Sequence, residues 1–136
     1  MASMFGSCRG ATHSTPGDRW GLLVKAIIGV FSARWVPYAA ILGVRDPGRN
    51  FVPLNSKALA ALGGSLNSAA KMPDVIVHDT RRNWLLLIEA VTSAGPVDGK
   101  RRKELKALFA GCKAGLVSVN AFENRRTRQT FLSHIA

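Results

Sequence analysis

The chain has 136 residues, 47% of them hydrophobic, and 19 Lys plus Arg against 8 Asp plus Glu, a formal net charge of +11. That length fits one domain with a core of its own, and the hydrophobic content excludes a wholly disordered polypeptide. A balance so basic favours polyanionic partners, nucleic acid or an anionic membrane surface.

Residues 1–19 hold Gly, Ser, Thr and Pro with Arg9 and Arg19, and read as a disordered leader before a single domain over 20–136. Trp20, Leu23, Val24, Ile27, Ile28 and Phe31 recur at three-and-four spacing, which predicts an amphipathic helix. Residues 20–44 are apolar, but Lys25, Arg34 and Pro37 leave no uncharged run near the ~18 residues of a membrane span, so none is expected. Residues 38–44 read as a strand, Arg45-Asp46-Pro47-Gly48 as a turn and 51–54 as an edge strand limited by Pro53. A short helix over 56–62 follows, capped by Asn55 or Ser56 and stopped by Gly63-Gly64.

The second half alternates more sharply. Residues 75–77 and 84–91 are β-rich runs joined by Thr80-Arg81-Arg82-Asn83, a hairpin loop. A loop with Gly95 and Pro96 leads to a helix over 98–110 ended by Gly111, its Leu105, Leu108 and Phe109 on one face. Residues 115–122 form a further strand, and Asn124 caps a last basic helix. The order predicts an α/β sandwich with a central mixed β-sheet flanked by helices. Cys8 and Cys112 make neither a metal-ligand spacing nor a disulfide framework, so a cytoplasmic setting is expected.

The hairpin carries the chemistry. With 80–83 as the loop, Asp79 faces Trp84, and counting back places Asp74 opposite Glu89. Opposed residues share a face with Cβ atoms roughly 4.5–5.5 Å apart, where two like charges repel unless something neutralises them. A hard divalent cation does so, and Mg²⁺ is commonly held by one or two carboxylates. Glu89 also interrupts the apolar run Leu85-Leu86-Leu87-Ile88, a costly place for an unpaired charge. A core arginine partner, or a place at a sheet edge, would accommodate it as well.

These residues resemble a known family. Lys71-Met72-Pro73-Asp74-Val75-Ile76-Val77, then Trp84 to Ser93, Gly95-Pro96-Val97 and Lys100-Arg101-Arg102 look like the catalytic domain of BsuBI/PstI-type restriction endonucleases, within the PD-(D/E)XK nuclease superfamily. The likeness covers about 54–136, including Cys112-Lys113-Ala114-Gly115-Leu116-Val117; residues 1–35 show none. It implies the restriction-endonuclease-like sandwich and a homodimeric, Mg²⁺-dependent type II enzyme that cuts both strands of a short palindromic site in double-stranded DNA. Asp74 matches the Asp of the Pro-Asp motif, and Glu89 the first residue of the (D/E)XK motif. Val91 stands where the superfamily has its Lys. Lys100, among Lys100, Arg101 and Lys103 at the next helix start, is expected to replace it.

Arg101, Arg102, Lys103, Arg125 and Arg126 are expected to contact DNA phosphates, a solvated basic face being the bland alternative. His78 shares the face of Asp74 but lies towards the turn, and reads as a surface histidine. Because the family's chains are longer, the competing expectation is a truncated or catalytically decayed homologue that only binds nucleic acid.

Overall fold

In the computed structural model, residues 16–45, 51–63, 71–92 and 98–132 are described; His13, the 93–97 loop and His134 lie outside them. The chain begins with α1 (Pro16–Ala26), a π turn (Ile27–Phe31) and α2 (Ser32–Trp35), which follow one another without a break. The helix thus starts at Pro16, inside the stretch read as a leader, rather than at Trp20. Proline suits a first helical turn, because its missing N–H has no partner there in any case. The Arg19 side chain, at the start of this helix, is held by the Glu123 carboxylate beyond the sheet's last strand.

Five strands make one sheet: β1 (Ala39–Arg45), β2 (Phe51–Pro53), β3 (Val75–Asp79), β4 (Trp84–Val91) and β5 (Gly115–Phe122), in the order β2-β1-β3-β4-β5. All neighbours are antiparallel except β4 and β5, which run parallel. Parallel neighbours need a crossover, and α4 (Gly99–Leu108) lies in it. Between β2 and β3 lies α3 (Ser56–Ala61), capped by Asn55, and α5 (Arg125–Thr130), capped by Asn124, follows β5.

Each sheet face buries its own core. Leu23, Val24, Ile27 and Phe31 pack on Val75, Val77, Leu86, Ile88, Val119 and Ala121. On the opposite face Leu59, Leu105 and Phe109 pack on Leu42, Ile76, Leu85 and Leu87. With both faces covered, β4 needs apolar residues on each side, hence its continuous run. The α/β sandwich with a mixed sheet is therefore present as expected. Among the described residues, no helix is long and apolar enough to cross a membrane.

The β3–β4 hairpin keeps the register that counting predicts, with Asp79 opposite Trp84 and Val75 opposite Ile88. Its tip is organised by Asp79, which is 3% exposed. One carboxylate oxygen accepts the Arg81 and Arg82 backbone N–H groups at 3.0 and 3.3 Å, and the other accepts Arg82 Nη1 at 3.0 Å. Burial pushes this carboxyl's pKa up, but the backbone bonds from Arg82 and Arg81 and the Arg82 side chain outweigh it and hold it below the usual value. Asn83 closes the turn in the left-handed region at φ 52°, a conformation asparagine tolerates, and His78 Nε2 lies 3.0 Å from its Oδ1.

Asp79→Ala leaves two turn N–H groups without their acceptor, so stability at pH 7 should fall by about 1–3 kcal/mol. A carboxyl whose folded pKa is depressed stabilises above its unfolded pKa and loses that contribution as pH falls through the folded one. The gap in urea midpoint between wild type and Asp79→Ala should therefore be full at pH 7 and narrow below the ordinary aspartate range; a gap that widens in acid contradicts this role.

Candidate active site

Asp74 lies one residue before β3, yet its side chain is almost wholly buried. Its Oδ2 accepts the Ala90 N–H of β4 at 2.8 Å, and its carbonyl accepts the Arg45 N–H at 2.7 Å. The first bond extends the hairpin contact past Val75 and holds the carboxylate against the Ala90 backbone, and the second extends the pairing of β1 with β3. Arg45 Nη2 approaches Oδ1 to 3.1 Å, but Oδ1 is a buried atom that receives no aligned hydrogen bond. The Arg45 guanidinium is also stacked 5.8 Å above the Trp20 ring of α1.

Glu89 projects from β4 on the same face as Leu85 and Leu87, beneath α4. Arg101, in the first turn of that helix, donates from Nε at 3.0 Å and from Nη2 at 2.6 Å, both to Oε1. Both side chains are 12% exposed. The Arg101 backbone N–H bonds at 2.8 Å to the side chain of Asp98, the helix cap, so the cap fixes the turn that aims the guanidinium. Burial and then the neighbouring Asp74 charge push the Glu89 pKa above its ordinary value, against the opposing pull of Arg101 and Lys71. On the other side of β4, Asn120 of β5 sits in register with Glu89 and is buried.

The two acids therefore come together as the register requires, but each already faces an arginine. The need for a metal to balance them, argued from the hairpin alone, gives way: Arg45 from β1 and Arg101 from α4 supply positive charge that hairpin arithmetic cannot see. Atoms for a metal nonetheless remain. Asp74 Oδ1 lacks a hydrogen bond, and because Arg101 grips only Oε1, Glu89 Oε2 has no hydrogen bond among the described residues. Among those residues no group of three or more His, Cys, Asp or Glu side chains could hold an ion. Two carboxylate oxygens are what Mg²⁺ commonly takes from a protein, water or phosphate completing its shell.

Val91, at the position of the motif Lys, is 1% exposed. Lys100, expected to replace that lysine, is exposed at the start of α4, while Arg101 beside it reaches Glu89. Consecutive helix residues point about 100° apart, so only one of the two can face the strand. Arg102 and Lys103 on α4, and Arg125 and Arg126 on α5, are exposed. Because β4 and β5 are parallel and finish in register at Val91 and Phe122, the basic starts of α4 and α5 lie at the sheet end that holds Glu89. His78 is at the opposite end, against Asn83. Sequence reasoning missed Arg45 and Asn120. A lone Asn within Val119-Asn120-Ala121 was a signal for the second; nothing local marks the first.

The model of the BsuBI/PstI restriction endonuclease domain matches residues 10–136. The type II restriction enzyme BsuBI of Bacillus subtilis is 43% identical over 124 residues, covering 91% of this chain and 39% of its own. The type II restriction enzyme AplI of Arthrospira platensis is 27% identical over 116 residues, covering 80% of this chain and 35% of its own. The solved structure of SdaI restriction endonuclease superposes with a TM-score of 0.77 at 37% identity, over 86% of this chain and 37% of that one. The chain thus spans well under half the length of the relatives it matches.

The raised pKa of Glu89 has a consequence in metal-free protein. A carboxyl whose folded pKa exceeds its unfolded one contributes fully below the unfolded pKa, and that contribution is lost as pH rises through the folded one. Glu89→Gln cannot ionise. The stability of wild type relative to Glu89→Gln, from urea midpoints in EDTA, should therefore fall between pH 4 and pH 7; a rise would mean that Arg101 outweighs burial and Asp74.

Proposed function

Because the chain belongs to the BsuBI/PstI restriction endonuclease family, we propose that it is the catalytic part of a Mg²⁺-dependent type II enzyme that hydrolyses phosphodiester bonds at a specific site in double-stranded DNA. The observation that carries this reading is the pair Asp74 and Glu89, brought together at one sheet end, each with an oxygen that accepts no aligned hydrogen bond among the described residues, that of Asp74 lying 3.1 Å from Arg45. Those oxygens would hold Mg²⁺, which supplies Lewis-acid polarisation of the phosphate and a lowered pKa for a bound water. In the reaction a water oxygen forms a new P–O bond as the bond to the leaving sugar oxygen breaks. The water's proton passes to solvent and the leaving oxygen takes one up.

The remaining side chains bind and orient. Ala90 N–H fixes the rotation of the Asp74 carboxylate, and Arg101 fixes that of Glu89. Arg102, Lys103, Arg125 and Arg126 flank this end and supply sequence-independent grip on phosphates. Cutting both strands of a symmetrical site calls for two such centres, hence a homodimer, acting in the cytoplasm where the DNA is. The competing reading is a homologue that binds DNA without cutting, favoured by Val91 in place of lysine and by the arginine beside each acid.

Plasmid DNA with Mg²⁺ separates the two. Wild type should cut, EDTA should stop it, and Asp74→Ala and Glu89→Ala should each reduce cleavage to background, as read on agarose gels. Binding without cutting, unchanged by Asp74→Ala, would establish the competing reading instead.

A further inference from the structure

The nuclease centre lacks a cation at Val91, and the arrangement of Arg101 shows how one can be present all the same. Val91 is buried at the end of β4, so the strand offers no cationic side chain on the Glu89 face there. Arg101 reaches that face from α4, with Nε and Nη2 both on a single oxygen of Glu89. A guanidinium has two edges, and this grip uses one. Among the described residues the remaining nitrogen, Nη1, has only a loose neighbour, Glu104 Oε2 at 3.6 Å, whose side chain is 49% exposed. That separation is too long for a hydrogen bond.

Resting on the nuclease reading above, we propose that Arg101 replaces the missing motif lysine: it stays on Glu89 through Nε and Nη2 and presents Nη1 to the phosphate being cleaved. Three observations converge on it. The one-oxygen grip leaves Glu89 Oε2 for the metal, so Arg101 and metal need not compete. The Asp98 cap bonds the Arg101 backbone N–H, which fixes the helix turn from which the side chain projects. The side chain is 12% exposed, and in so dry a site a guanidinium acts on phosphate charge far more strongly than a solvated lysine. Lys100 and Arg102, its exposed neighbours, lack this anchorage to the acid. Arginine has the further advantage of a planar fork, which can bond a carboxylate and a phosphate together; an ammonium holds both only as a point charge.

The test uses the whole chain and two readouts. In Mg²⁺, Arg101→Ala should lower the cleavage rate by about 100-fold, the scale of losing one preorganised donor at developing charge. In Ca²⁺, binding of a DNA duplex across a salt series should lose roughly 0.9 of its log–log slope, one phosphate contact. Arg101→Lys should restore most of that slope and only part of the rate. Lys57→Ala, one positive charge removed from the exposed surface of α3, should change neither. A larger rate loss from Lys100→Ala than from Arg101→Ala, or an unchanged slope in Arg101→Ala, would overturn the assignment.

If wild type does not cut, the nuclease reading fails on its own, and the slope still decides whether Arg101 meets phosphate. If Arg101→Ala does not fold, Glu89→Gln compared with Glu89→Gln/Arg101→Gln gives the same slope difference without leaving a buried charge unpaired. Equal slopes in that pair would also overturn it.

Discussion

The register of the β3–β4 hairpin is the constraint on which the rest of this molecule depends. Side chains alternate across a strand, so a slip of one residue would turn Glu89 into the core beneath α1 and leave Asp74 facing a different residue. Three separate devices prevent it. Asp79 and Asn83 shape the tip, two apolar cores clamp the middle from opposite faces, and the bond from Ala90 N–H to Asp74 closes the far end. The last of these is itself part of the candidate centre. The same bond that stops the strands from sliding also sets the rotation of a carboxylate.

Placing two acids in so buried a position carries an electrostatic cost, and the fold meets it with arginines drawn from elsewhere. Arg45 comes from the end of β1 and Arg101 from the start of α4, so charge balance links four elements around one point. A buried ion pair such as Arg101–Glu89 adds little net stability, because desolvation offsets its attraction. The effect of these arginines is on arrangement. Arg101 bonds one oxygen of Glu89, and Arg45 stands beside Asp74 Oδ1 without an aligned hydrogen bond, so each acid keeps one oxygen that accepts none among the described residues. Glu89 shows that the balance is incomplete, since burial and Asp74 still hold its carboxyl above the ordinary range.

The parallel pairing of β4 and β5 then decides where positive charge gathers. Both strands finish at the same sheet end, so the helices that follow each of them begin there. Each of those helices opens with basic residues, and the result is a carboxylate pair flanked by cations at the sheet end where β4 and β5 finish and β3 begins. An overall excess of positive charge would not by itself do this. Antiparallel pairing of β4 with β5 would send α5 to the opposite end, and Arg125 and Arg126 with it.

Much of this was legible in the residues. Hydrophobic periodicity and turn chemistry marked the helices, the hairpin and β5, because those signals act over a few neighbouring positions; the hairpin register followed from the loop alone, and with it the opposition of Asp74 and Glu89. The helix start at Pro16 was hidden behind a Gly- and Ser-rich composition that masked a proline suited to a first turn. The partners of the two acids were out of reach for a different reason. Arg45 and Arg101 are distant from Asp74 and Glu89 in sequence, and only strand order and the crossover through α4 bring them near. Which of Lys100 and Arg101 reaches Glu89 depends on the angle at which a capped helix meets a sheet, which no local pattern encodes. The sequence by itself thus determined the hairpin and its opposed acids, through short-range register. Only the tertiary structure decided which cations face them, because that depends on how separate elements pack.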